Sequence, residues 1–314
     1  MTVLIVLAFV LGLTSPGFAQ PPDTVGVVTE IKPGRGRVEV KSSGAADWRP
    51  AGPLSALRAG DAIRATDDAV AVVLLAGGRG TRRIDAAASP VVLDTAGAGD
   101  SGSQKARTLV AQSLRFLSLT TKEAPKGVLA TRGGAPPPIV LSPRQAFVRP
   151  APLTFEWVGG ARARYTVRLT GPAGIVFERD VVGGRLAYPD GAPALQPDAQ
   201  YTIEVRTEGR APQTATFHVL AAERARDIDR DLAELDAMLG PGAASSTAIA
   251  RAGYLAERGL FHDAREIVVG ALRNDPDQAA LYLLLANIYD RTGLRAQAAE
   301  AYAEAEFLTM EKPR

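Results

Sequence analysis

The feature that most constrains this chain is a spacing of 34 residues that recurs near its C-terminus. Six pairs of similar residues stand 34 positions apart: Ala252 and Ala286, Leu255 and Tyr289, Gly259 and Gly293, Ala264 and Ala298, Val268 and Tyr302, and Ala271 and Ala305. Small residues at such positions let two helices approach closely, and a glycine suits the turn between them. The spacing therefore predicts two consecutive helical hairpins within residues 245–312.

This pattern resembles the tetratricopeptide repeat, a helical-hairpin unit that binds other proteins. The resemblance implies a groove lined by the first helix of each copy. Its candidate partner-binding residues are Ile249 and Ala256 in the first copy and Leu283, Asn287 and Asp290 in the second. Asn287 matches the position where related domains hold a peptide backbone. Its counterpart Gly253 has no side chain to do so, and the second copy carries Met310 where Pro276 would recur.

Two hairpins are fewer than the roughly three units that a self-sufficient helical stack usually needs. The preceding segment, 221–239, has apolar residues at helical spacing and is closed by Gly240-Pro241-Gly242. We expect a helix there that caps the first hairpin, so that residues 221–314 form one helical domain. Self-association through the hairpins is the alternative, and a homo-oligomer is one possible outcome of it.

Residues 139–220 alternate between apolar and polar positions in seven short runs, which predicts a β domain. The stretch from Leu195 to Val205 resembles the fibronectin type III pattern that leads into a tyrosine corner. This resemblance implies a β-sandwich in which the Tyr201 hydroxyl ties its turn back to the backbone. Such sandwiches are commonly spacers. A Pro- and Gly-rich linker at 131–138 separates this domain from the one before it.

The first domain, residues 24–130, is predicted to be all-β with a trailing amphipathic helix. Alternation from Val25 to Val40 around a Pro-Gly turn predicts a hairpin, and an apolar run spans Ala69 to Leu75. Over about residues 24–95 the order of motifs resembles the FecR-type periplasmic domain. That resemblance implies a small module outside the cytoplasm that contacts envelope components. The family's signalling role, which needs a membrane segment and a cytoplasmic tail, is not implied here.

Residues 1–19 are typical of a secretory signal peptide, with eleven apolar residues followed by a small-residue cleavage site. We therefore expect a mature chain that begins at Gln20 in the periplasm, or else an N-terminal membrane tether. The chain has no cysteine, which excludes disulfides, a lipidated cysteine and a thiol nucleophile.

Little in the sequence points to catalysis. The glycine-rich stretch 97–102 fits a dinucleotide-binding spacing but lacks the parallel βαβ context that such a site needs. The two histidines, His218 and His262, cannot assemble the usual metal-ligand sets without cysteine. We therefore expect no enzymatic activity, no cofactor and no metal.

Charge is distributed unevenly along the chain. Residues 223–314 carry 11 basic and 16 acidic residues, and residues 1–222 carry 25 and 18, so the net charges are −5 and +7. The basic half could contact an anionic envelope polymer, with the arginines at 79–83 as a local basic tip. That tip lacks interleaved aromatic residues, which argues against nucleic acid.

Taken together, these patterns predict a multidomain chain with an all-β N-terminal module, a β-sandwich in the middle and a C-terminal domain of helical-hairpin repeats. The function they favour is a non-enzymatic periplasmic scaffold or adaptor. The repeats would bind a protein partner and the β domains would contact the envelope. The alternative is an envelope protein that binds polysaccharide or peptidoglycan.

Overall fold

The computed structural model describes residues 24–32, 34–95, 104–120, 138–150, 153–240 and 244–310. The predicted signal peptide, the glycine-rich stretch 97–102 and all of the 131–138 linker except its last residue lie outside this description. The chain is multidomain, with β-sheets between residues 24 and 219 and consecutive helices from 222 to 309. Within the described residues, no helix combines the length and the apolar character needed to cross a membrane.

Eight strands form the first β region. They are β1 Thr24–Lys32, β2 Val38–Lys41, β3 Arg49–Pro50, β4 Ala56–Arg58, β5 Ala62–Ala65, β6 Val70–Leu75, β7 Thr81–Ile84 and β8 Val91–Val92. They make two four-stranded antiparallel sheets, ordered β4-β1-β6-β7 and β3-β2-β5-β8. The predicted hairpin between β1 and β2 is wrong, because these strands belong to different sheets. Their connection is instead held against the β5–β6 turn, where Arg37 N donates to Thr66 Oγ1 at 2.9 Å.

The apolar runs in β1 and β6 reflect burial on both faces of their sheet. Val28 and Val73 point into a core between the two sheets. The alternate residues Val27 and Leu74 point the other way, into the core formed by the helices. A strand that is covered on both faces needs apolar residues at nearly every position. The first β region is therefore a layer packed against the helices.

Eight more strands form the middle β region. They are β9 Ile139–Ser142, β10 Ala146–Val148, β11 Thr154–Val158, β12 Arg164–Gly171, β13 Gly174–Val182, β14 Arg185–Ala187, β15 Ala199–Arg206 and β16 Gln213–Val219. The sheets are ordered β14-β11-β9 and β10-β16-β15-β12-β13, and both contribute to one hydrophobic core. The Tyr201 hydroxyl accepts a hydrogen bond from Gln196 N at 2.7 Å, which is the turn-to-backbone link expected of it.

Strand β10 was missed by the alternation pattern. It is only three residues long and pairs parallel with β16, with Phe147 opposite His218. Its three residues are all apolar although Phe147 is exposed, so the alternation that marks a half-buried strand is absent from its sequence. It matters because it forms the sheet edge closest to the helices.

Six helices complete the fold. They are α1 Gln104–Ser118, α2 Ala222–Leu239, α3 Ala244–Glu257, α4 Phe261–Asn274, α5 Ala279–Arg291 and α6 Arg295–Thr309. The turns of the two hairpins have the same backbone geometry, with φ of +75° at Gly259 and +79° at Gly293. In each turn the residue after the glycine donates its N–H to the residue five positions earlier, at 3.0 Å for Leu260 and 2.8 Å for Leu294. The 34-residue spacing thus corresponds to a repeated structural unit.

Candidate partner-binding site

The predicted partner-binding residues are mostly covered. Ile249 and Ala256 on α3 are buried, as are Leu283 and Asn287 on α5, and Asp290 is exposed. The side-chain amide of Asn287 donates to the Leu283 carbonyl of its own helix at 2.8 Å. Of these five residues, only Asp290 presents its side chain to solvent.

Helix α1 covers this surface of α3 at Gly253. A Cβ atom added to Gly253 would lie 3.1 Å from Leu117 Cγ and 3.2 Å from the Ser113 carbonyl oxygen. Both distances are tighter than ordinary van der Waals contact. Gly253 therefore has a clear role that differs from that of Asn287 at the equivalent place in the second copy, because it provides room for α1.

The apolar face of α1 forms part of the helical core. Five of its buried apolar residues share one cluster with those of α2, α3 and α5: Leu109, Val110, Leu114, Phe116 and Leu117. They recur at helical spacing, so that one stripe of α1 is buried while the opposite side faces solvent. Sequence reasoning recognised this helix but assigned it to the first β domain. Amphipathicity alone shows that a face is covered, not which surface covers it.

Charged and polar contacts surround the apolar face of α1. At its N-terminal end Lys105 Nζ lies 2.9 Å from Asp231 Oδ1 and 3.1 Å from Glu234 Oε2, both on α2. Near its C-terminal end Arg115 Nε lies 3.2 Å from Glu257 Oε1 on α3. The site that holds α1 therefore has an apolar floor and acidic groups near both ends.

The acidic end on α2 is electrostatically matched to Lys105. Hydrogen bonds to Asp231 and then Glu234 raise the pKa of Lys105. Burial alone would raise the pKa of Asp231, but hydrogen bonds from Lys105 and Tyr254 hold it below its ordinary value. Both groups are thus charged at neutral pH, as an ion pair requires.

Helix α2 also packs beside the first hairpin, where it contacts both α1 and α3. Its buried stripe is Ala225, Ile228, Leu232, Leu235 and Leu239, which are the predicted apolar positions from 225 onward. Asp231 accepts a hydrogen bond from the Tyr254 hydroxyl on α3. The first hairpin is therefore flanked by two helices, of which α1 contacts the Gly253 surface.

The middle β region docks on α4 through buried polar groups. His262 Nδ1 and Ser142 Oγ lie 2.7 Å apart, and Arg265 Nη2 lies 2.7 Å from Glu156 Oε2. Arg149 Nη2 also contacts Asp263 Oδ1 at 2.8 Å. Burial lowers the pKa of His262, so that the imidazole is neutral at physiological pH.

The Ser142 and His262 pair is of the type that activates a serine nucleophile, but its position argues against that use. Ser142 is 2% exposed and His262 is 7% exposed, beneath the contact between the β region and α4. A substrate could not reach this serine without separating the two domains. Among the described residues, no group of three or more His, Cys, Asp or Glu is placed to hold a metal ion.

The basic tip lies on the edge strand β7 of the first β region. Arg82 and Arg83 are exposed there, with Arg83 Nε 3.7 Å from Asp85 Oδ2. Arg79 is held by Asp94 through an Nη1 to Oδ1 contact of 2.9 Å. On the other sheet, the Trp48 ring lies 4.2 Å from the Arg64 guanidinium carbon and 5.6 Å from Lys41 Nζ.

No protein-family model matches this chain, and no curated protein matches it.

Proposed function

We propose that this protein is a non-enzymatic adaptor of the periplasm. Its helical-hairpin region binds a protein partner and its β regions contact envelope components. The observation that carries the proposal is the docking of α1, because the surface formed by α3, α2 and β1 already binds an amphipathic helix. A groove that accepts an apolar helix face between charged ends is a general mode of protein recognition.

The surface that α1 covers indicates the chemistry of the partner. A partner helix would carry apolar residues at helical spacing to replace Leu109, Val110, Leu114 and Leu117. It would place a basic residue at its N-terminal end to meet Asp231 and Glu234, and a second one three turns later to meet Glu257.

Helix α1 competes with such a partner because it is part of the same chain. An intramolecular ligand has a high effective concentration and lowers the apparent affinity of an external one. A partner must therefore displace α1. The groove would select a helix whose apolar stripe fits it better than the stripe of α1 does.

The finer family assignments support the same proposal. The repeated turns at Gly259 and Gly293 fit two tetratricopeptide repeats, and the Tyr201 hydrogen bond fits a fibronectin type III-like sandwich. The two antiparallel sheets of residues 24–95 suit a FecR-type module. All three are binding or spacer modules, and the signal-peptide pattern in residues 1–19 favours the periplasm.

A reversible disulfide between α1 and α3, here called the clamp, tests the proposal. The chain has no cysteine, so Leu117→Cys with Gly253→Cys can form a single disulfide that locks α1 in place. A photo-reactive residue at Asp290, next to the groove, would report the bound partner in periplasm. We expect a cross-linked protein that disappears when the clamp is oxidised and returns on reduction.

The single variant Gly253→Cys controls for the substitution itself. A cross-linking pattern at Asp290 that is the same with the clamp open or closed would refute binding in the α1 groove. So would the absence of any cross-linked protein in either state.

The second candidate is binding of an anionic polymer by the basic first β region. The exposed Arg82 and Arg83 and the cation-flanked Trp48 favour it. Sedimentation of the full mature chain with purified cell wall should then be weakened by salt and by Arg82→Ala with Arg83→Ala. Binding that resists both would exclude this surface.

A further inference from the structure

A separate open pocket lies on the outer face of the five-stranded sheet, under the turn between α3 and α4. Its volume is about 290 Å³, and its lining includes Gln145, Phe147, Gln200, Thr216, His218 and Phe261. These residues come from the middle β region and from the start of α4, so the pocket exists only while the two are docked. Clefts between domains are common sites for small ligands.

Strand alternation explains why polar side chains line this pocket. On β16 the residues Phe217 and Val219 point into the core, which turns Thr216 and His218 outward. On β15 the same alternation turns Gln200 outward. The outer face of the sheet therefore presents an amide, a hydroxyl and an imidazole side by side.

An aromatic ring forms one wall of the pocket. Phe147 is 38% exposed, and its ring meets the His218 ring edge-on at 5.6 Å between centroids. Its backbone N–H donates to the Gly259 carbonyl at 2.9 Å. A Cβ added to Gly259 would lie 3.2 Å from Phe147 Cδ2, so the glycine lets the hairpin turn sit close above the ring.

The polar groups of the pocket are available to a ligand. Within the described part of the chain, the side chains of Gln200 and Thr216 make no hydrogen bond to protein. His218 Nε2 is oriented by Asp198 Oδ1 at 3.1 Å. Gln145 adopts a left-handed backbone conformation with φ of +45°, which costs free energy in a residue other than glycine and is often found at functional sites.

We propose that this pocket binds a neutral saccharide. The C–H face of a sugar ring is apolar and packs on an aromatic ring, while its hydroxyls pair with amide, hydroxyl and imidazole groups. No lysine or arginine lines the pocket to neutralise an anion. A peptide could not add as a strand beside β10, since that strand bonds β16 on one side and donates to Gly259 on the other.

Titration calorimetry on the full mature chain tests this site. The probes are neutral trisaccharides of β-1,4-linked N-acetylglucosamine, of β-1,4-linked glucose and of α-1,4-linked glucose. We expect at least one to bind with a Kd on the order of 1 mM, as suits a small open pocket. Gln200→Ala and Phe147→Leu should each weaken it about tenfold.

Thr216→Ala and Thr214→Ala form a matched pair of variants. Both threonines are exposed on the same face of β16, but Thr214 lies outside the pocket. Only Thr216→Ala should weaken binding, with both variants unfolding at the wild-type temperature. The proposal is overturned if no trisaccharide binds at about 10 mM, or if the pocket variants bind as tightly as wild type.

This proposal does not depend on the adaptor function. The pocket lies on the middle β region, and its variants leave α1 and its groove unchanged. A chain that fails to bind sugar could still bind a protein helix, and the two experiments would show this separately.

Discussion

The two β regions are held against different helices, the first on α1 and α3 and the middle one on α4, and they differ in the balance of apolar and polar contact. The first β region packs chiefly through apolar residues, with Val27 and Leu74 entering the helical core beside α1. Among the described residues, its buried polar contacts with the helices are confined to Ser246 on α3, which is hydrogen-bonded to Thr29 and Glu30. The middle β region docks through buried polar groups, chiefly the Arg265 to Glu156 ion pair and the Ser142 to His262 hydrogen bond. Apolar burial is tolerant of pH, whereas buried ionisable groups depend on their partners and their protonation.

The difference in contacts predicts which β region separates first from the helices when the protein is destabilised. Loss of one polar partner leaves a charge or a dipole buried and unpaired, which is costly. Loss of apolar contact removes only the contribution of the atoms involved and the cavity they leave. We therefore expect the middle β region to separate from the helices under conditions that leave the first one docked.

The largest expected effect is at the buried ion pair. Arg265→Ala should lower the free energy of unfolding by about 3–5 kcal/mol, because it strands Glu156 without its buried partner. Arg185 contacts the same carboxylate at 3.6 Å from the exposed side. Arg185→Ala should therefore cost less than about 1 kcal/mol in the same urea titration. Equal losses would show that the ion pair does not hold this interface.

The apolar counterpart is Leu117 on α1. Leu117→Ala should cost about 3 kcal/mol, because the side chain is fully buried against Gly253. Leu119 lies at the end of the same segment but is 55% exposed, and Leu119→Ala should change stability by less than about 0.5 kcal/mol. Urea unfolding of both variants measures the difference, and a small effect at Leu117 would mean that α1 is not docked.

Glycine substitutions give a smaller but more specific comparison. Gly253→Ala should destabilise the chain by about 1–2 kcal/mol, because the added Cβ would press on Leu117 and the Ser113 carbonyl. Gly270 lies within α4 with nothing near its added Cβ. Gly270→Ala should stabilise by about 0.5–1 kcal/mol through helix propensity. Thermal unfolding would contradict this prediction if both changes had the same sign.

Mild acid should loosen the polar interface. His262 has a lowered pKa and is neutral when docked, but in the unfolded chain it takes up a proton below about pH 6.5. Stability should therefore fall as pH drops through that value, by at most about 1.4 kcal/mol per pH unit. The neighbouring Asp263, Glu266 and Glu156 favour the proton and Arg265 opposes it.

Urea titrations between pH 8 and pH 5 measure this dependence. In His262→Gln the fall between pH 6.5 and pH 5 should be reduced, since the titrating group is gone. An unchanged slope in that variant would assign the dependence to other residues.

Parts of this fold could be predicted from the sequence and other parts could not. The 34-residue spacing predicted the helical hairpins and their glycine turns, because helix packing requires small residues at fixed intervals. The other seven strands of the middle region followed from alternation. The hairpin between β1 and β2 was wrong, because local alternation does not reveal that a chain crosses between sheets.

The candidate site was predicted less well than the fold. The repeat pattern predicted groove positions on α3 and α5, but nothing in the sequence indicated that α1 would pack against Gly253. That contact joins residues more than 130 positions apart, and an apolar stripe fits many surfaces. Gly253 was the one local signal, since a glycine inside a helix often marks a close approach.

The most direct test of the account is disulfide formation between α1 and α3. The Cβ added in Gly253→Cys would lie 3.1 Å from the position of Leu117 Cγ, which is one bond from the Cβ of Leu117→Cys, so the pair is close enough to form a disulfide. The control pair is Leu119→Cys with Gly253→Cys, in which Leu119 faces solvent. If α1 occupies the groove of its own chain, the first pair forms an intrachain bond under native oxidising conditions and the second does not. Equal rates of disulfide formation in both pairs, or no disulfide in either, would contradict the docking of α1 on α3.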